Sequence, residues 1–236
     1  YVSFQSRELG QPDWMHTNSV DYNPHLDQII LSVHGFDEVW IIDHSTSGSE
    51  NPGLLWRWGN PQTHGRGSDA ERELFKQHDA HWIVAGLPGE GHIMIFNNGQ
   101  GRRGNYSTVL ELATPISDGG QYLRENKNRF SAPEPIWKYE DPGNFFSSNI
   151  SGAERLPGGN TLICSGANGR IFEVTSDGSI VWEHINEGGF GEQGAGVRGG
   201  GARGGAVFRV PWISPDHLGL RPIEPSKKKS ARGTAL

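Results

Sequence analysis

Two histidines, His16 in MHTNS and His78 in QHDAH, each open a run of short apolar segments, and Arg102 and Arg103 follow the turn FNNGQG. A neutral imidazole is a nucleophile and a base, and a guanidinium neutralises the oxygens of an anion. Together they suit attack on an anionic ester, which needs a nitrogen to attack, cationic donors for the oxygens, and a proton for the departing oxygen. Asn18 and Asp79, next to the two histidines, can hydrogen-bond and orient them. His81, three residues after His78, offers an HxxH pair, but alternation along a strand sends the two side chains to opposite faces, which makes a metal pair awkward. Cys164, the single cysteine, lies within NTLICSG and reads as a buried structural thiol.

The elements that would position these groups repeat. HTNSVDYN, QIILSV, EVWIID and LLWRWG run from His16 to Gly59; HDAHWIV, HIMIFNN, STVLEL and PIWKYE run from His78 to Glu140; NISGAERL, NTLICSG, RIFEVT and SIVWEH run from Asn149 to His184. Each stretch gives four strands with Gly, Asn or Asp turns and a Trp in the last strand. The period reads as the four-stranded blade of an all-β propeller, with blades near 13–60, 78–140 and 149–184 and a closing strand near 205–212. Inner strands of a propeller surround one channel, so matching positions in successive blades face one site. His16 and His78 are read as holding that matching place. In the third repeat Ser147, Ser148 and Asn149 stand there instead, and His184 falls in an outer strand. Residues 68–77 open on an N-cap serine with acids behind it and predict a short helix between blades. Trp40, Trp56, Trp58, Trp82, Trp137 and Trp182 are expected to pack sheets against one another.

Gly 34 and Pro 14 in 236 residues fit a turn-rich all-β chain. A net charge of −6 excludes an electrostatic nucleic-acid surface. GVRGGGARGG reads as a flexible loop and residues 223–236 as a basic disordered tail. No apolar run of about 18 residues marks a membrane span. The chain begins at Tyr1 without a visible signal peptide, YVSFQSREL reads as the last strand of a preceding blade, and three blades do not close a ring. The expected partner is therefore a missing half-propeller, or a second copy of the chain.

DWMHTNSVDYN, QHDAHW, FNNGQGRRGNYS, RLPGGNTLICSGANGRIFEV and the ending AVFRV…SPDHLGL resemble bacterial PAPS-independent arylsulfotransferases, over roughly residues 13–222. The resemblance implies a six-bladed propeller, of which this chain would be the C-terminal half, in the periplasm or outside the cell. It implies transfer of a sulfuryl group from an aryl sulfate to a phenol through a sulfated histidine, with no metal or nucleotide cofactor. His16, His78 and Arg102 fall on the family's sulfate-binding positions. Asn18, Asp79, Arg103 and Asn149 complete the expected substrate-binding set for an aryl sulfate or other small anion. The family's transiently sulfated histidine lies on a later blade, where this chain has the Ser147–Asn149 stretch. Two other readings stay open: a propeller that binds a ligand or protein without chemistry, and a metal-dependent hydrolase or lactonase built on His16, His78, Asp79 and His81.

Overall fold

The computed structural model describes residues 13–46, 53–117, 120–126, 129–187, 205–217 and 219. Within them the strand-turn alternation forms three consecutive four-stranded antiparallel sheets, and no α-helix occurs among the described residues. The first blade is β1 (Thr17–Asn23), β2 (Gln28–Val33), β3 (Glu38–Asp43) and β4 (Leu54–Trp58), paired in that order. The second is β5 (His78–Trp82), β6 (Ile93–Asn97), β7 (Thr108–Leu112) and β10 (Pro135–Glu140). A small hairpin, β8 (Arg124–Asn126) with β9 (Arg129–Phe130), lies in the connection before β10. The third is β11 (Gly152–Arg155), β12 (Thr161–Ser165), β13 (Arg170–Val174) and β14 (Ile180–Ile185). The chain is thus all-β, built from propeller-type blades.

Turn chemistry sets the blade edges. In the first and third blades, strands two and three are joined by single 3-10 turns, His34–Phe36 and Gly166–Asn168. Each turn ends on a left-handed residue, Asp37 at φ 57° and Gly169 at φ 66°. Asp and Gly are types that enter this region at low cost, Gly because it lacks Cβ.

The run IMIFN of β6 is buried at all five positions because the second blade is covered on both sides. Ile93 and Ile95 pack toward the first blade with Ile41, Trp56, Trp82 and Leu112. Met94 and Phe96 pack toward the third with Phe145, Ile163 and Phe172. A continuous apolar strand is what two-sided burial demands, and each such side chain contributes roughly 1.5–3 kcal/mol relative to exposure. Trp56, Trp58 and Trp82 join this core, whereas Trp182 on β14 is exposed, as are Ile180, Val181 and Ile185.

Polar pins cross both seams. Gln77 Nε2 donates to the Glu38 carbonyl at 2.7 Å. Glu111 of β7 is paired with Arg155 of β11 and accepts from His92 Nδ1 at 2.7 Å. The connection before β10 folds back on the first blade, where Tyr122 Oη donates to Gln28 Oε1 at 2.6 Å and Trp56 Nε1 to the Ser131 carbonyl at 3.2 Å.

Two expected elements differ. Residues 68–77 form one 3-10 turn, Asp69–Glu71, with the capping box between Ser68 and Glu71. The helix stops because Glu73 and Leu74 donate their N–H groups to the Gly59 carbonyl and Leu74 is drawn fully into the core. Residues 205–212 are not a strand. They run across the third blade's loops through Gly205 N to Asn186 O at 2.6 Å, Val207 N to Gly166 O at 2.9 Å and Ser151 N to Phe208 O at 2.8 Å. The segment YVSFQSREL, the Gly-rich stretch before Gly205 and the basic tail lie outside the described residues.

Candidate functional site

The starts of the inner strands carry the site, and their register decides which residues match. Tyr22 pairs with Ile29 and Trp82 with Ile93, each of those partners six residues before its turn glycine, Gly35 or Gly99. Counting back, His16 matches Lys76, while His78, paired with Phe96, matches Ser19, paired with Ser32, since both partners lie three residues before the turn glycine. Backbone conformation agrees, since His16 (φ 45°), Lys76 (φ 59°) and Ile150 (φ 47°) all take the left-handed conformation at one place in three blades. The matching place read from the sequence for His16 and His78 is therefore offset by two residues.

The two rings are nonetheless joined, through a residue the sequence reading missed. His34, half-buried in the β2–β3 turn, has its ring 4.7 Å from that of His16 and 5.2 Å from that of His78. Aligning the three turns on Gly35, Gly99 and Gly166 would have flagged it, since His34, Asn98 and Ser165 then fall in one column. The glycines are required there by close approach. A Cβ on Gly35 would meet the Met15 carbonyl oxygen at 2.6 Å, and one on Gly99 the Tyr106 carbonyl oxygen at 1.8 Å.

His16 is exposed at one end of this row, with Nδ1 held by the Asp13 carboxylate. His78 is 5% exposed at the other end. Its Nδ1 lies 2.7 Å from Asn98 Oδ1 and 3.2 Å from the Lys76 carbonyl. Burial pushes the His78 imidazole below its ordinary pKa; the Asn98 and Lys76 hydrogen bonds oppose this, and the charge of His16 adds to the depression.

Asn18 braces the seam, its Nδ2 donating to the Gln77 carbonyl at 2.8 Å. Ser19 Oγ donates to the Ala80 carbonyl at 3.1 Å, and Trp82 N donates to Asp21 Oδ2 at 3.0 Å. Asp79 faces the third blade. Its Oδ1 accepts from Arg209 Nη1 at 3.1 Å, and its Oδ2 would lie 2.2 Å from a Cβ on Gly152, so only glycine leaves the carboxylate its place. Arg209, reached only because residues 205–212 cross this face, carries no sequence signal of its own. The inner strands of all three blades and Arg209 line a groove of about 270 Å³ that includes Asp21, Asp79, His81, Trp82 and Glu154.

Arg102 is not held with the histidine row. Its guanidinium lies over Phe75 at 5.2 Å and Tyr106 at 4.7 Å, and Nη2 donates to the Glu73 carbonyl at 3.5 Å. The loop 98–106 turns back over Phe75, and the two rings hold the cation there. Arg103 is exposed. Asn149 serves its own loop, with its carbonyl accepting from Ser147 Oγ at 3.2 Å and Ser151 Oγ at 3.1 Å and its Oδ1 accepting from Ser148 Oγ at 3.2 Å. His78 and His81 fall on opposite sides of the β5 burial alternation. No group of three or more His, Cys, Asp or Glu among the described residues is arranged to hold a metal ion. Cys164 is buried, and that burial pushes its thiol up to about 12. His184 lies on β14 beside Trp182.

The Arylsulfotransferase (ASST) family model matches residues 3–193. No curated protein matches the chain in sequence. Among solved structures, a protein of unknown function from Bacteroides caccae is similar at 14% identity and a TM-score of 0.41, over 71% of this chain and 45% of that one. A streptogramin B lyase is similar at 18% identity and a TM-score of 0.34, over 75% of this chain and 56% of that one. The chain thus spans about half the length of the solved chains it is compared with. Matched by its model over most of its length, the chain belongs to the arylsulfotransferase family.

Proposed function

We propose that the row His16–His34–His78 is the sulfuryl-transfer site of an arylsulfotransferase, with His78 as the carrier. The observation that supports this is the ring-to-ring contact of three imidazoles from two blades, one of them buried and biased toward its neutral form. Nε2 of His78 attacks the sulfur of an aryl sulfate, an S–N bond forms, and the S–O bond breaks with its electron pair leaving on the phenolate. A protonated neighbour in the row, His34 or His16, gives that phenolate its proton. The acceptor phenol then returns a proton to the same neighbour and attacks sulfur, and the S–N pair goes back to Nε2. Ser147, on the third blade, is fully buried within a hydrogen-bonded loop and does not serve as the carrier.

The test is turnover of 4-nitrophenyl sulfate by the full chain, with and without a phenol acceptor. Release of nitrophenol should require the acceptor, and His78→Ala should lose roughly 10²–10³ in rate, the usual cost of one preorganised group. Arg102→Ala should cost far less, because that guanidinium is committed to Phe75 and Tyr106. Full activity in His78→Ala would remove the proposal. The placement of Arg102 and the serines at 147 and 148 favour one second reading, a propeller that binds an aryl sulfate or other small anion without turning it over. Saturable binding of 4-nitrophenyl sulfate with no turnover would select it.

A further inference from the structure

Asn98 sits in the turn that follows β6 and is fully buried. One of its amide heavy atoms lies 2.9 Å from the Ser147 carbonyl oxygen and 3.0 Å from the Ile150 carbonyl oxygen. Two acceptors on one side identify that atom as the nitrogen, since an oxygen there would face both without a proton between them. The other amide atom, 2.7 Å from His78 Nδ1, is therefore the carbonyl oxygen. An amide oxygen only accepts, so the hydrogen of that contact belongs to His78. The Lys76 carbonyl, 3.2 Å from the same nitrogen, makes the same demand. A neutral imidazole carries one N–H, which leaves the lone pair on Nε2.

The third blade holds the amide in this orientation. Ser151 Oγ donates to Ser147 Oγ at 2.8 Å, while Gly166 N donates to Ser151 Oγ and Ala167 N to Ser147 Oγ, both at 2.9 Å. From the second blade, Ser107 Oγ donates to the Asn98 carbonyl at 2.8 Å and accepts from Ser147 N at 2.9 Å. All three serines are buried. Rotating the amide would set two carbonyls against its oxygen and leave a buried N–H₂ without its partners.

We propose that Asn98 is a positioning residue that holds His78 as the Nδ1–H tautomer, keeping Nε2 free of a proton, and that the loop 147–151 of the third blade fixes Asn98 in that orientation. The value of a bare Nε2 rests on the sulfuryl-transfer reading; the tautomer does not. An amide suits the role better than a carboxylate. A carboxylate at this place would favour a doubly protonated ring, whose nitrogens cannot attack.

Nitrogen-15 NMR of the full chain with labelled histidine, at a pH where the ring is neutral, tests this directly. The His78 signals are identified by their loss in His78→Gln. The expected result is a proton on Nδ1 and none on Nε2. Asn98→Leu should release the constraint and give a mixture with the Nε2–H form. Asn98→Asp, close in size, should shift the ring toward the doubly protonated state. Wild-type His78 carrying its proton on Nε2 would overturn the proposal without any variant, and so would a folded Asn98→Leu protein that keeps only the Nδ1–H form. An Nδ1–H His78 in a protein without sulfuryl transfer would uphold the role of Asn98 while removing the proposed function.

Discussion

Replacing Glu111 with Leu should destabilise the protein more than the loss of its contacts to Arg155 and His92 suggests. Glu111 is 4% exposed in the middle of β7, paired with Arg155, which is 7% exposed. Without the carboxylate, the Arg155 guanidinium keeps the Gly159 carbonyl, 3.1 Å from Nη1, and the Trp137 ring at 5.3 Å, but no opposing charge at the seam. Removing one partner of a buried pair costs about 3–5 kcal/mol, because the other charge stays desolvated. At roughly 2–4 °C per kcal/mol for a chain of this size, Tm should fall by about 6–20 °C. Replacing both residues, Glu111→Leu with Arg155→Met, removes the stranded charge and should return stability to near the wild-type value or above it. Thermal and guanidinium unfolding of the two single variants and the double variant complete the cycle. If Glu111→Leu alone costs under about 1 kcal/mol, or the double variant is no more stable than Glu111→Leu, the seam does not depend on this pair and the reasoning fails.

Gly166→Ala would place a Cβ 2.1 Å from the Val207 carbonyl oxygen and 3.0 Å from Ser151 N, both backbone atoms. The segment 205–212 should be displaced and cut several-fold faster by limited proteolysis, whereas Gly158→Ala, which meets nothing within 4 Å, should match the wild type. Burial holds His78 below the ordinary imidazole value of about 6.5, so the unfolded chain binds that proton first as pH falls. The stability associated with neutral His78 is complete above about pH 6.5, declines as pH drops toward the lowered folded value, and then levels. Denaturant midpoints between pH 7.5 and 5 should fall less in His78→Gln than in the wild type, and equal slopes would contradict the assignment.

The blades were legible because their signals are local. Period-two alternation, an aromatic last strand and turn glycines each act over a few residues. Register was not legible, because both strand starts, Thr17/Ser19 and His78/His81, are irregularly paired, so alternation does not mark which residues match there. His16 lies six residues before Tyr22 and His78 four before Trp82, which sets them two places apart in the repeat, and His34 enters from a turn rather than a strand start. Asn98 stood within FNNGQG, but its role depends on two carbonyls about 50 residues later in the chain, which no spacing rule connects. Residues 206–210, AVFRV, have the apolar composition of a strand, yet their hydrogen bonds go to loops of the third blade. In the same way the capping box at Ser68 was real, but burial of Leu74 outweighed helix continuation. In each case a tertiary contact overrode a sound local preference.

The location of His78 follows from how the seams are closed. Apolar faces alone slide with little resistance, because dispersion contacts are non-directional. Each seam here adds a fully buried amide that reaches a main-chain carbonyl of the neighbouring blade. Gln77 reaches Glu38 in the first blade, and Asn98 reaches Ser147 and Ile150 in the third. Leaving either amide unsatisfied costs about 1–3 kcal/mol, so a small shift of one blade is opposed well before the core itself is disrupted. His78 follows Gln77 directly in the chain and bonds to Asn98 through its ring. Its backbone is therefore fixed by one seam and its side chain by the other. An imidazole at that junction is held in place by three blades at once, although none of the residues doing so needs to touch a substrate.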